Sequence, residues 1–250
     1  MPVPTSALPR PVFDARPVLA VAHRGDPYRF RENTLASVES ALAAGADAVE
    51  VDVQLTRDGV PVLLHDLTLE RLWGDPRAVG AVTLDQLGSL GSPGIRVPTL
   101  AEGLKAVAAT PAARLLIDLD TAGPAAATWQ AVSGLGAEDR VAFCGPVGAL
   151  LAVRELAPDA ELALTWKLPQ LPGRALLADL RPRYLNPPFG LVDEDFTAAA
   201  HEAGLAVSTW TVDRRRTMTR LLRAGVDSLT SNRVALLRSV LDAHTRGARR

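Results

Sequence analysis

Short apolar runs alternate along most of the chain with longer stretches whose apolar residues recur at helical spacing. Strands are predicted at about 18–22 (VLAVA), 48–53 (AVEVDV), 114–119 (RLLIDL), 140–144 (RVAFC), 161–166 (ELALTW), 183–186 (RYLN), 205–210 (LAVSTW) and 226–230 (VDSLT). Helices are predicted between them, among them 34–44, 99–109, 193–203, 214–224 and 232–243. Thr99 followed by Glu102 is a capping box, and Gly45 and Gly204 sit where left-handed helix stops are expected. Eight strands in strict alternation with helices imply an all-parallel sheet, and eight such units in 250 residues fit an α/β TIM (β/α)8 barrel. A doubly wound open sheet fits less well, because no glycine-rich phosphate loop follows the first strand. One segment, 60–98, breaks the rhythm. It carries a further apolar run, VPVLL at 60–64, and then a polar, Gly- and Pro-rich insertion at about 67–98. After strand two of a barrel, such an insertion lies on the catalytic face. Residues 1–17 are Pro-rich and aperiodic and are expected to form a tether or a lid on the barrel bottom, with 18–250 as a single barrel domain.

Charge and composition narrow the function. There are 27 basic and 28 acidic side chains. This balance excludes nucleic acid as a main partner, since phosphate-backbone binding needs clustered cations. No apolar run reaches the ~18 residues of a membrane span, and the first 20 residues carry no signal-peptide pattern. A single cysteine, Cys144, leaves no disulfide framework or Cys-based zinc site; it reads as an inert small hydrophobe near a strand end. A cytoplasmic protein acting on a small molecule is expected, with no stable membrane insertion. Oligomeric state is not legible.

The chemistry concentrates at strand ends. Glu50 and Asp52 lie two apart inside an apolar strand, so both face the barrel interior while Val49, Val51 and Val53 face the helices. Asp118 and Asp120 repeat the spacing on the third strand. Carboxylates so placed repel one another unless a cation sits among them, and hard divalent cations take oxygen ligands. His23 and Arg24 end the first strand, and His65-Asp66 follows VPVLL. Two imidazoles, an arginine and an acidic cluster make up an inventory for metal-assisted phosphoryl chemistry. Asn33 or Thr34 is placed to cap the following helix, and Glu32 to brace Arg24. Trp210 is placed to wall a pocket or fill a core layer, and Trp73 in the insertion to meet an apolar part of a substrate. His201 and His244 read as solvated surface groups.

These residues resemble the glycerophosphodiester phosphodiesterases over about 18–238. The matching segments are AHRGD at 22–26, ENT at 32–34, EVDVQLTRDGVPVLLHD at 50–66, LER at 69–71, VPTLAEGL at 97–104, and WTVD with LLRAGVD at 210–227. The resemblance implies a TIM barrel that uses a divalent metal, Mg²⁺ or Ca²⁺ with Mn²⁺ also acceptable, to hydrolyse glycerophosphodiesters to sn-glycerol 3-phosphate and an alcohol through a cyclic phosphate. It implies His23 and His65 as the acid/base pair, Glu50 and Asp52 as metal ligands with Asp118 in the third ligand's place, Arg24 on the phosphate, and Trp210 against the glycerol. Three departures stand out. Asp118-Leu119-Asp120 replaces the usual Glu-x-Lys, Asp213 replaces an Asn, and Thr230-Ser231-Asn232 lacks the usual acidic residue. Lys167, beside the fifth strand, is placed to supply the missing cation by reaching toward Asp120 or the phosphate. Two further readings stay open: phospholipase D-like action on lysophospholipids, and a catalytically silent binding barrel.

Overall fold

The computed structural model describes residues 18–91 and 95–248, so the tether expected at 1–17 lies outside the described residues. β1 (Leu19–His23) leads through α1 (Leu35–Ala43) into β2 (Ala48–Leu55). β3 (Pro61–Leu63) then folds back antiparallel on β2, with Val53 opposite Leu63. Two short helices follow, α2 (Glu70–Trp73) and α3 (Leu84–Gly88), before α4 (Leu100–Ala108). Strict alternation resumes with β4 (Arg114–Asp118), α5 (Ala125–Gly134), β5 (Val141–Gly145), α6 (Val147–Leu156), β6 (Leu162–Thr165) and α7 (Arg174–Leu180). It ends with β7 (Tyr184–Asn186), α8 (Glu194–Glu202), β8 (Ala206–Thr209), α9 (Arg215–Arg223), β9 (Ser228–Ser231) and α10 (Val234–Ala248).

Eight strands pair in parallel in the order β1-β9-β8-β7-β6-β5-β4-β2, and β2 pairs back onto β1. The sheet is therefore a closed barrel with β3 as an extra strand. The alternation read from sequence is the alternation of two cores. Val49, Val51 and Val53 of β2 pack outward in the large core shared with the helices. Inward positions form a second, smaller core of Val21, Ala48, Leu116, Ala142, Cys144, Ala163, Tyr184 and Ala206. One step nearer the strand ends, the same inward register carries Glu50 and Asp52 on β2 and Asp118 on β4. The inner core is thus a floor, and the chemistry stands above it.

The insertion has its own apolar cluster of Val62, Leu64, Leu69, Val79, Val82, Leu87 and Val97. Trp73 packs against this cluster, with the Arg31 guanidinium 4.5 Å from its ring centroid. It does not line the catalytic cavity, so its expected contact with substrate is corrected to a structural role. Helix ends follow local chemistry. Thr99 and Glu102 form the expected capping box on α4, and Gly45 and Gly204 adopt φ of +87° and +78° just past α1 and α8. Gly25 is tighter still: at φ +89°, a Cβ would lie 2.3 Å from Ser37 Oγ and 2.6 Å from the Ser37 carbonyl carbon. Gly25→Ala is expected to destabilise the fold by about 1–3 kcal/mol, read as a lower urea midpoint at unchanged slope.

Candidate active site

The strand ends and the loops after them enclose a cavity of about 710 Å³, lined by His23, Arg24, Glu50, Asp52, His65, Asp118, Asp120, Lys167, Asn186 and Trp210 among others. The residues to which the sequence assigns acid/base, metal or phosphate roles and the Trp210 wall all border this one space. Adjacent-strand register brings them together: His23 pairs with Glu50 across β1 and β2, and Asp52 with Asp118 across β2 and β4.

Glu50, Asp52 and Asp118 each offer an oxygen within 4.8 Å of the others'. Glu50 and Asp52 are buried, and Asp118 is intermediate. Burial, then Asp52 and Asp118, pushes Glu50 well above the usual carboxylate range. Burial, then Asp52 and Asp120, pushes Asp118 up to about 7. Asp118 Oδ1 is buried without a hydrogen-bond partner. A set of hard oxygen donors, crowded and with an orphaned oxygen among them, fits a divalent cation. Asp120 stands apart. β4 ends at Asp118, and Asp120 is exposed at the cavity rim, so the expected four-carboxylate cluster is a trio.

Arg24 braces this trio. Its backbone N–H donates to Glu50 Oε2 at 3.0 Å, its Nε lies 3.1 Å from Asp52 Oδ2, and its Nη1 donates to Glu32 Oε1 at 2.9 Å. Glu32 thus braces Arg24 as expected, and of the two cap candidates Thr34 is the one that caps α1. Asn33, at φ +55°, donates from Nδ2 to Asp52 Oδ2 at 2.7 Å. Arg71 ties the insertion to the first loop by bonding both Glu32 and Asp66.

The two imidazoles are anchored differently. His23 Nδ1 lies 2.7 Å from Asn232 Oδ1, and His23 Nε2 lies 4.0 Å from Glu50 Oε2. Burial, then the Arg24 charge, holds His23 below the usual histidine range. His65 Nδ1 lies 2.6 Å from Asp66 Oδ1, a carboxylate that Arg71 holds down at about 2.

Cys144 is the buried small hydrophobe expected, part of the inner apolar core. It also borders the cavity, on the strand next to Asp118, and burial pushes its thiol well above the usual range. Lys167 points its ammonium 5.9 Å from the Trp210 ring centroid and forms no ion pair with Asp120 within 4.0 Å. Lys167 and Asp120 nevertheless line the same cavity. Trp210 Nε1 donates to the Asn186 carbonyl at 3.0 Å. His201 is exposed, as expected, but pairs with Asp227 at 2.8 Å.

Sequence reasoning missed Asn33, Arg71, Asn186 and the contact between Asp213 and Asn232. The motifs ENT and LER flagged the neighbourhood of the first two without assigning them a partner. Asn186 is buried in the cavity wall, its Oδ1 without a hydrogen-bond partner, and an isolated Asn at a strand end carries no sequence signal.

Similarity to known proteins agrees with this geometry. A glycerophosphodiester phosphodiesterase of Caldanaerobacter subterraneus subsp. tengcongensis is 27% identical over 86% of this chain and 93% of its own length. A solved phosphodiesterase of Oleispira antarctica, in complex with the product sn-glycerol-3-phosphate, superposes with a TM-score of 0.84 at 23% identity, covering 90% of this chain and 96% of that one. A glycerophosphodiester phosphodiesterase of Thermotoga maritima superposes with a TM-score of 0.77 at 22% identity, covering 89% and 98%. The sequence pattern of the glycerophosphoryl diester phosphodiesterase family matches residues 23–236. With that match running from the first cavity histidine into the last helix, the chain belongs to the glycerophosphoryl diester phosphodiesterase family and is a phosphoric diester hydrolase.

Proposed function

We propose that the protein hydrolyses glycerophosphodiesters to sn-glycerol 3-phosphate and an alcohol, with a divalent cation held by Glu50, Asp52 and Asp118 and with His23 and His65 exchanging protons. The observation that carries this reading is the crowded carboxylate trio facing the same cavity as both imidazoles. A bound cation supplies Lewis-acid polarisation of a phosphate oxygen and of the attacking glycerol 2-hydroxyl. One histidine takes the hydroxyl proton as the oxygen attacks phosphorus, and the other protonates the departing alcohol. Water then opens the cyclic phosphate with the two histidines in exchanged roles. Asn186 Oδ1 offers an acceptor to a substrate hydroxyl, and the Trp210 indole forms an apolar wall. The product held by the Oleispira antarctica enzyme supports the same product class here. The test is release of glycerol 3-phosphate from glycerophosphocholine with Mg²⁺, Ca²⁺ or Mn²⁺; absence of release with all three ions overturns the reading.

Arg24 and Lys167 are the cations proposed for the substrate phosphate. Arg24 is committed to Glu32 and Asp52, whereas Lys167 has no ion pair among the described residues. Lys167→Met is expected to raise KM for glycerophosphocholine about tenfold, the scale of one charge-assisted hydrogen bond, with kcat within about twofold. Unchanged KM assigns Lys167 to solvent.

A second reading, action on lysophospholipids, is favoured by exposed Tyr28, Phe30, Leu67, Leu168 and Phe189, all on loops of the catalytic face. Choline release from lysophosphatidylcholine, compared with glycerophosphocholine, separates the two.

A further inference from the structure

We propose that Asp213 and Asn232 are positioning residues that lock the His23 imidazole as its Nδ1–H tautomer, leaving Nε2 bare toward the cavity and making His23 the proton acceptor of the first step. The assignment of a role to His23 rests on the two-histidine reading above, whereas the tautomer rests on hydrogen-bond polarity alone.

The chain of bonds has only one consistent direction. The Arg233 backbone N–H donates to Ser231 Oγ at 3.0 Å. The Ser231 hydroxyl proton is then free to go to Asp213 Oδ1, at 2.9 Å. The Asn232 backbone N–H donates to the same oxygen at 2.8 Å. The carboxylate is thus anchored, and its other oxygen, Oδ2, accepts from Asn232 Nδ2 at 2.8 Å. A flipped amide would set its carbonyl oxygen against that carboxylate oxygen, which two acceptors do not tolerate. Asn232 Oδ1 must therefore face away from Asp213, and it faces His23 Nδ1 at 2.7 Å. A carbonyl oxygen only accepts, so Nδ1 carries the hydrogen and, in the neutral ring, Nε2 carries the lone pair. Nε2 lies 4.0 Å from Glu50 Oε2, beside the proposed cation.

The fold makes this relay possible because the three residues sit at the ends of neighbouring strands. Asp213 follows β8, Asn232 follows β9 and His23 ends β1, in that order around the barrel. The partner is also chemically apt. A neutral amide orients the ring without the full charge with which a carboxylate favours imidazolium, which suits a group that begins the reaction as a base. His65 has the opposite arrangement, with the Asp66 carboxylate directly on Nδ1. A charged partner on Nδ1 suits the group that must begin as the acid.

The intact protein labelled with ¹⁵N-histidine tests this by NMR, at a pH where His23 is neutral and with its signals assigned by their loss in His23→Gln. The wild type is expected to show Nδ1 protonated and Nε2 bare. Asp213→Asn, a near-isosteric change, frees the amide to flip; a mixture of tautomers is expected, with kcat lowered about 10- to 100-fold, part of the full worth of a base, and KM within about twofold. The exchanged pair Asp213→Asn with Asn232→Asp again offers Nδ1 an acceptor, and kcat is expected to recover to within about fivefold of wild type. A merely structural role predicts no such rescue. An Nε2–H tautomer in the wild type, or an exchanged pair no better than Asp213→Asn alone, overturns the relay. A tautomer that is Nδ1–H in the wild type and mixed in Asp213→Asn, with kcat unchanged, upholds the relay and overturns instead the role of His23 as base.

Discussion

Treatment with EDTA is expected to abolish diester hydrolysis, and readdition of a hard divalent cation to restore it, because Glu50, Asp52 and Asp118 present only oxygen donors. A thermal readout tests the same site without turnover. In the metal-free protein Asp118 holds its proton up to about pH 7, whereas an ordinary aspartate loses it near 3.8. Its folded-state value is raised, so below the ordinary value both folded and unfolded chains are protonated and the group contributes nothing. As pH climbs between the two values, the unfolded chain ionises and the folded one resists, so stability is lost; above about 7 the loss is complete. Glu50, shifted in the same direction, adds to the trend. The chelated protein is therefore expected to melt lower at about pH 8 than at about pH 5, and Mg²⁺, Ca²⁺ or Mn²⁺ to raise its Tm more at the higher pH. Glu50→Gln is expected to weaken metal binding and to raise the Tm of the chelated protein at about pH 8, by removing one of three mutually repelling charges. Full activity in EDTA, or a Tm indifferent to all three ions, rules out the carboxylate trio as a metal centre.

His23→Ala and His65→Ala are each expected to lower kcat on glycerophosphocholine by ~10²–10⁴-fold, the scale of a positioned acid or base, while leaving metal binding unchanged by calorimetry. The two variants are expected to part company on a diester with an activated phenolic leaving group. Such a group departs without protonation, so the defect of the variant lacking the acid shrinks and that of the variant lacking the base persists. With His23 anchored on an amide and His65 on a carboxylate, the shrinking defect is expected for His65→Ala. Near-wild-type turnover in either variant on glycerophosphocholine contradicts the two-histidine mechanism.

Much of the barrel was legible because its physics is periodic. A strand buried on both faces still alternates, and in AVEVDV the valines belong to the helix-facing core while Glu50 and Asp52 belong to the interior. The eight-fold repeat then leaves few topologies, and closure puts every strand end around one mouth. Side chains at strand ends are therefore brought together by backbone register alone, which is why His23, Glu50, Asp52 and Asp118 were readable as one site. Residues beyond the strand ends escape that rule. Asp120 shares the spacing of Asp118 yet stands at the rim, because β4 has ended and the pleat no longer dictates direction. Lys167 lies by Trp210 and not in an ion pair with Asp120, because a loop and a flexible side chain decide where its ammonium rests. Trp73 looked available to a substrate until the insertion proved to have an apolar cluster of its own to fill. Asp213 and Asn232 looked in sequence like two unrelated departures, nineteen residues apart, and only the adjacency of β8, β9 and β1 turns them into one hydrogen-bonded unit behind His23. The sequence by itself determined the periodic order of the strands and the side chains they carry inward. Only the tertiary structure decided which polar groups face each other across loops, because a hydrogen bond depends on a few tenths of an ångström and on the direction of a donor, and neither leaves a trace in spacing along the chain.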